Sequence, residues 1–127
     1  MANIVQIHEG VAIKKFLLTS ESLRIGRDPQ SGIFIDDKVV SQSHAVVEAV
    51  ERSSDEGRSV AYYIKDLGST NGTFVNDKKI TRCKLNNEDI IRIGWNIFKF
   101  VDEAQQKSEK TVKIHKSWIP GVYYTKE

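Results

Sequence analysis

KDLGSTNGTFVN, residues 65–76, sets five small polar residues, Gly68-Ser69-Thr70-Asn71-Gly72, between apolar β-forming residues on either side. Three readings fit such an insert. Asn71-Gly72-Thr73 matches the N-x-[ST] glycosylation acceptor, the glycines suit a phosphate-binding loop, and the whole can be a plain connection between strands. The surrounding sequence separates them.

The opening residues, MANIVQIHEG, lack both a basic n-region and a sustained apolar run, and no segment reaches the ~18 apolar residues of a membrane span. The expectation is a cytoplasmic chain with no membrane association, in which the acceptor match is coincidental. A Walker loop needs a lysine after its second glycine and a helix beyond, whereas Gly72 is followed by Thr73-Phe74-Val75, a strand pattern. Nucleotide binding is therefore not expected, and no cofactor or metal is implied. What remains is a tight loop in which Gly72 takes a positive φ. The Asn71 amide, with one acceptor and two donors, can read the backbone of an extended peptide, and Thr70 adds a hydroxyl.

On both sides of this loop, short apolar runs alternate with polar or glycine clusters, the rhythm of an all-β chain. NIVQIH and VAIKKFLL flank Glu9-Gly10 as a hairpin, and SLRIG, GIFID, HAVVEAVE and SVAYYIKD follow. Ala45, Val47 and Ala49 share one face of a strand, and Tyr62 and Ile64 one face of the next. Beyond the central loop come TFVN, a turn at Asn76-Asp77, a short strand through Ile80, then DIIRIG and IFKFV around a turn at Gly94-Trp95-Asn96. About ten or eleven strands predict a two-sheet β-sandwich. Residues 51–59, ERSSDEGRS, read as a charged hairpin loop.

The 127 residues fit one domain large enough for a core without disulfide or metal staples. The sandwich is placed at residues 1–101. Residues 102–127 form a polar linker and a C-terminal extension that regains Trp118, Ile119, Val122, Tyr123 and Tyr124, and can begin a further region. Lys and Arg number 19 against 17 Asp and Glu, a net charge of +2, too small to argue for a nucleic-acid partner. The single cysteine, Cys83, forms no internal disulfide and points to a reducing compartment.

Two more stretches carry chemistry. Gly26-Arg27 ends an early strand: glycine lets another backbone come close, and arginine offers a planar fork of donors for phosphate or carboxylate. In VVSQSHAVV, Ser41 and His44 stand three apart at a strand entrance. That spacing seldom puts a hydroxyl on an imidazole nitrogen, and a third orienting member is missing, so no catalytic residue is assigned and an enzyme is not expected. His44 is read as fixing neighbouring loops through hydrogen bonds, and Ser41 as free to donate to an anion.

Gly-Arg at a strand end, Ser-x-x-His farther on, a Ser-Thr-Asn-Gly-Thr loop before FVN, and the closing L…EDIIRIG…FKF together resemble the forkhead-associated (FHA) domain family, from about Leu23 to Val101. The resemblance implies an eleven-stranded sandwich that binds phosphothreonine peptides through loops at one end. It implies that Arg27 and Ser41 contact the phosphate with help from Thr70. Asn71 then hydrogen-bonds the peptide backbone, while Gly26, His44 and Gly72 are structural. It also implies that Val39, Gln42 and Trp95 lie in the loops that set specificity. Gln42 stands where many relatives carry Arg, Lys or Asn, and Asn76-Asp77 replaces a more usual Asn-Gly.

The expected function is a phosphothreonine-dependent interaction module of a signalling protein. The alternatives are a phosphate-independent scaffold using Trp95 and the tail, and the regulatory N-terminal domain of a larger signalling enzyme. Thr111 and Thr125 in the tail raise self-association through a phosphorylated threonine.

Overall fold

The computed structural model describes residues 2–54 and 57–104. The tail, with Thr111, Trp118, Tyr123 and Thr125, lies outside the described residues.

Period-two alternation of β-branched and aromatic residues with polar ones lets the inner strands bury one side, while strands at the sheet edges stay largely exposed. The strands are β1 (Ala2–His8), β2 (Val11–Leu17), β3 (Ser22–Gly26), β4 (Ile33–Phe34), β5 (Ala45–Ser54) and β6 (Gly57–Asp66). They continue with β7 (Thr73–Val75), β8 (Lys78–Ile80), β9 (Arg82–Leu85), β10 (Ile90–Ile93) and β11 (Asn96–Asp102). A six-stranded sheet has the order β2-β1-β11-β10-β7-β8, and a five-stranded sheet the order β4-β3-β5-β6-β9. Among the described residues, all strand pairings are antiparallel except β3 with β4. The expected all-β two-sheet sandwich is the fold observed.

The core lies between the sheets. Ile4, Ile91, Ile93, Phe98 and Phe100 come from one side and Ile25, Val47, Ile64 and Leu85 from the other, each at most 1% exposed. Burial of each such side chain contributes about 1.5–3 kcal/mol. Tyr62 meets Phe100 across the gap, ring centroids 5.4 Å apart, and joins β6 to β11.

Tight turns close the hairpins. Glu9-Gly10 has φ of 52° and 78°, and Asn76-Asp77 has 50° and 69°, the two successive positive values of a type I′ connection. Asn76 is further tied to β10: its Oδ1 accepts from Ile90 N (2.9 Å), and its Nδ2 donates to Asp89 Oδ1 (3.0 Å).

Three details depart from the sequence expectation. Residues 51–59 are mostly strand rather than loop, since the β5–β6 ladder runs from Ala45↔Asp66 to Ser54↔Gly57. Beyond Glu48 on β5 and before Tyr62 on β6 the two strands pair only with each other among the described residues and are largely exposed, so this ribbon needs no apolar alternation. Strand β9 was not anticipated; within RCKL only Leu85 is fully buried and Cys83 partly so, too short a pattern to stand out. Asn96 pairs with Ile93 and belongs to β11, leaving a two-residue turn of Gly94-Trp95.

Candidate functional site

At one end of the sandwich, Arg27 leaves β3, residues 35–44 connect β4 to β5, and residues 67–72 connect β6 to β7. Together they frame a cleft of about 280 Å³ lined by Arg27, Lys38, Val39, Val40, Ser41, Gln42, Thr70 and Asn71.

The first wall depends on a close backbone approach. Arg27 N donates to Ser41 O (3.0 Å) and Asp28 N to Gln42 O (3.2 Å), drawing 41–42 onto the end of β3. A Cβ on Gly26 would lie 2.1 Å from Gln42 O and 3.1 Å from Ser41 O, so only glycine fits there. Arg27 Nε donates to Val40 O (3.0 Å), which fixes the guanidinium at the cleft and leaves its terminal nitrogens for a ligand. Asp37 shapes the adjacent turn: its Oδ1 accepts from Val39 N (3.1 Å) and its carbonyl from Val40 N (3.0 Å). That turn presents Lys38, and no ion pair engages Arg27 or Lys38 among the described residues.

The second wall is the loop of residues 67–72, and a single carboxylate organises it. Asp66 Oδ2 accepts from Gly68 N and Ser69 N (both 3.1 Å), while Oδ1 accepts from the hydroxyls of Ser69 and Thr73, the latter at 2.7 Å. Ser69 Oγ in turn accepts from Gly72 N (2.9 Å), closing the bend at Gly72, whose φ is +87°. Burial pulls the Asp66 pKa upward, but the hydrogen bonds from the Ser69 and Thr73 hydroxyls and from the Ser69 and Gly68 amides outweigh it and hold the carboxyl below the usual carboxylate range.

His44, 0% exposed, joins the walls. Its Nδ1 accepts from Ser41 N (3.1 Å), so Nε2 carries the proton and donates to Gly72 O (2.8 Å). Its backbone accepts from Leu67 N (2.9 Å) and donates to Ile25 O (3.0 Å). The imidazole thus meets the Ser41 amide rather than its hydroxyl, which is not the geometry of a nucleophile and base. Ser41 Oγ instead accepts from Thr70 N (3.1 Å), keeping its own proton available for an anion. Asn71 Nδ2 donates to Val39 O (2.8 Å) and leaves Oδ1 open as an acceptor.

The structure brings Arg27, Val39, Ser41, Gln42, Thr70 and Asn71 to one cleft, with Gly26, His44 and Gly72 behind it. Trp95 is not among the lining residues. It is 84% exposed on the β10–β11 turn, and that turn abuts the cleft through Gly94, where a Cβ would lie 2.7 Å from Val39 Cγ2. Sequence reasoning missed Lys38, Asp66 and Ser69. Asp66-x-x-Ser69 before a glycine-rich turn carried a signal, because Asp side chains cap nearby amides in such turns. Lys38 carried none beyond its place next to Asp37.

A family model, FHA domain, matches residues 23–94. The chain belongs to the FHA domain family. The matched span of this FHA domain runs from β3 through β10 and contains every cleft-lining residue. The chain is 41% identical over 80 residues to the oxoglutarate dehydrogenase inhibitor of Corynebacterium jeikeium, a match that covers 63% of this chain and 50% of that protein. It therefore spans about half the length of such relatives. Among solved structures it resembles Mycobacterium tuberculosis EmbR in complex with a low-affinity phosphopeptide, at 32% identity and TM-score 0.65, over 79% of this chain and 24% of that one. It also resembles a domain from a study of phosphothreonine-dependent FHA domain interactions, at 25% identity and TM-score 0.63, over 80% of this chain and 95% of that one. Among the described residues, no helix is long and apolar enough to cross a membrane.

Proposed function

We propose that this FHA domain is a non-catalytic module that binds phosphothreonine-containing proteins through the cleft between Arg27 and Asn71. The observation that carries the reading is the convergence there of a guanidinium with no ion pair among the described residues, the Ser41 hydroxyl and the Asn71 amide oxygen. A phosphothreonine brings about −1.5 to −2 charges and strong acceptor oxygens. Arg27 and Ser41 donate to those oxygens, the Thr70 hydroxyl adds a further donor, and Asn71 Oδ1 accepts a backbone N–H of the peptide. Lys38 stands as a second cation on the same wall. Val39, Gln42 and, one turn away, Trp95 face residues flanking the phosphothreonine. The likeness to EmbR in complex with a phosphopeptide, and to a domain of phosphothreonine-dependent FHA interactions, supports the same reading.

Charge-assisted hydrogen bonds contribute roughly 1.5–3 kcal/mol each. Arg27→Ala should therefore remove most of the affinity for a short phosphothreonine peptide while leaving the sandwich folded, because the side chain belongs to a loop on a rigid scaffold. Calorimetric titration with a phosphothreonine peptide library tests the reading. Equal binding of phosphorylated and unphosphorylated peptides would sink it.

A second reading, a phosphate-independent scaffold, draws on the exposure of Trp95. In a pull-down it requires the Arg27→Ala variant to retain its partner and a Trp95→Ala variant to lose it.

A further inference from the structure

The solvent side of the five-stranded sheet is charged in one sense. Opposed residues share a face, so the register places Arg24 on β3, Val46 on β5, Lys65 on β6 and Arg82 on β9 in one row across the strands. The next row is Ser22, Glu48, Tyr63 and Lys84, and Arg52 lies farther along β5 on the same side. Arg24, Arg52, Lys65, Arg82 and Lys84 are all exposed, against the single described carboxylate of Glu48 on these rows. Five cations face one anion here, while the whole chain exceeds neutrality by only two charges, so charge is segregated rather than evenly spread.

Two of the cations are held in place. The Arg82 guanidinium lies over the Tyr63 ring, 4.1 Å from its centroid, and Arg52 Nη2 donates to the Tyr63 hydroxyl at 3.3 Å. Guanidinium groups fixed in this way lose little freedom on pairing and match carboxylates with two parallel donors.

We propose that this face docks an acidic polypeptide segment lying across the strands. With neighbouring strands about 4.8 Å apart, the row from Arg24 to Arg82 spans roughly 14 Å. Alternate side chains of an extended segment recur about every 6.6–7 Å, so two such steps cover the row and carboxylates at their two ends reach Arg24 and Arg82, with the long Lys65 side chain between them. Phe34, 47% exposed on the neighbouring β4, offers an apolar contact at one end of the row. Nucleic acid fits less well, since single strands stack on bare aromatic rings and the one Tyr on these rows is already covered by Arg82.

The test uses the full chain and a fluorescein-labelled, unphosphorylated glutamate-rich peptide, followed by anisotropy at low and at physiological ionic strength. The wild type binds, and binding weakens as salt rises. Arg24→Glu with Lys65→Glu, which leaves the Arg82–Tyr63 stack intact, weakens it about tenfold. Arg24→Gln with Lys65→Gln falls between and decides the matter if the reversed pair fails to fold. Both pairs bind a phosphothreonine peptide as the wild type does, and Arg27→Ala still binds the acidic peptide. The proposal is overturned if the face variants bind the acidic peptide like the wild type. It is equally overturned if Arg27→Ala abolishes that binding, which puts the peptide in the cleft, or if single-stranded RNA or phosphatidylserine vesicles bind more tightly than the peptide.

Discussion

Replacing His44 by alanine should damage both stability and binding, and its size can be worked from the contacts of one ring. The side chain is fully buried and bridges Ser41 N to Gly72 O. Truncation strips a partner from one donor and one acceptor, each worth about 1–3 kcal/mol when left unsatisfied. It also opens a void where the imidazole packed, with a further penalty that depends on how far the loops collapse. The expected loss is about 3–5 kcal/mol, a large part of the roughly 5–15 kcal/mol that holds a typical domain together. Since Ser41 and Gly72 flank the cleft from opposite loops, the surviving folded protein should bind a phosphothreonine peptide about tenfold more weakly. Urea unfolding followed by circular dichroism gives the first quantity, and calorimetric titration below the unfolding transition gives the second. A stability loss under about 1 kcal/mol would refute the claim that the ring bridges the walls. Unchanged affinity would refute the claim that this bridge shapes the cleft.

Asp66→Asn should cost about 1–2 kcal/mol at neutral pH, because one carboxylate oxygen that accepts from Gly68 N and Ser69 N becomes a donor. The folded Asp66 has a pKa below the ordinary carboxylate value, so in that interval the unfolded chain binds the extra proton. The advantage of wild type over Asp66→Asn is therefore full above the ordinary carboxylate pKa and lost as pH falls through the folded value, which urea midpoints measured across acid pH will show. Gly26→Ala should destabilise the domain by at least about 2 kcal/mol and weaken phosphopeptide binding, since its Cβ would collide with Gln42 O at 2.1 Å; wild-type values for both would refute the close approach. Trp95→Ala should change thermal stability by less than about 0.5 kcal/mol, given its 84% exposure, and a larger loss would mean the indole packs on the domain.

Much of the sandwich was legible because its strands obey a simple rule where two sheets face each other. Val47, Ile64, Ile91 and Ile93 recur on one side, and every strand carrying two such residues was visible in the sequence. The rule fails where a ribbon is largely exposed, as in the far ends of β5 and β6 that pair only with each other among the described residues, and where a strand is too short to show a period, as in β9. The residues gathered at the cleft were legible for a different reason, namely that glycine, arginine and small hydroxyls stand out against strand composition. Asp66 is less conspicuous, because a charged residue at a strand end looks like ordinary solvation until the donors that converge on its carboxylate are counted, and only its spacing to Ser69 before a glycine-rich turn points to capping. Lys38 depends on the turn set by Asp37, a geometry that no spacing reports.

Thr70 N on Ser41 Oγ and Asn71 Nδ2 on Val39 O latch the two loops together across the mouth of the cleft. An arriving peptide thus meets walls that already stand in position, with little backbone movement left to make. On the proposed function, association should proceed at the speed of productive encounter, typically about 10⁵–10⁷ M⁻¹s⁻¹, and faster if Arg27 and Lys38 draw in a dianion. Discrimination among rival phosphopeptides is accordingly expressed in how long each one stays rather than in how quickly it arrives.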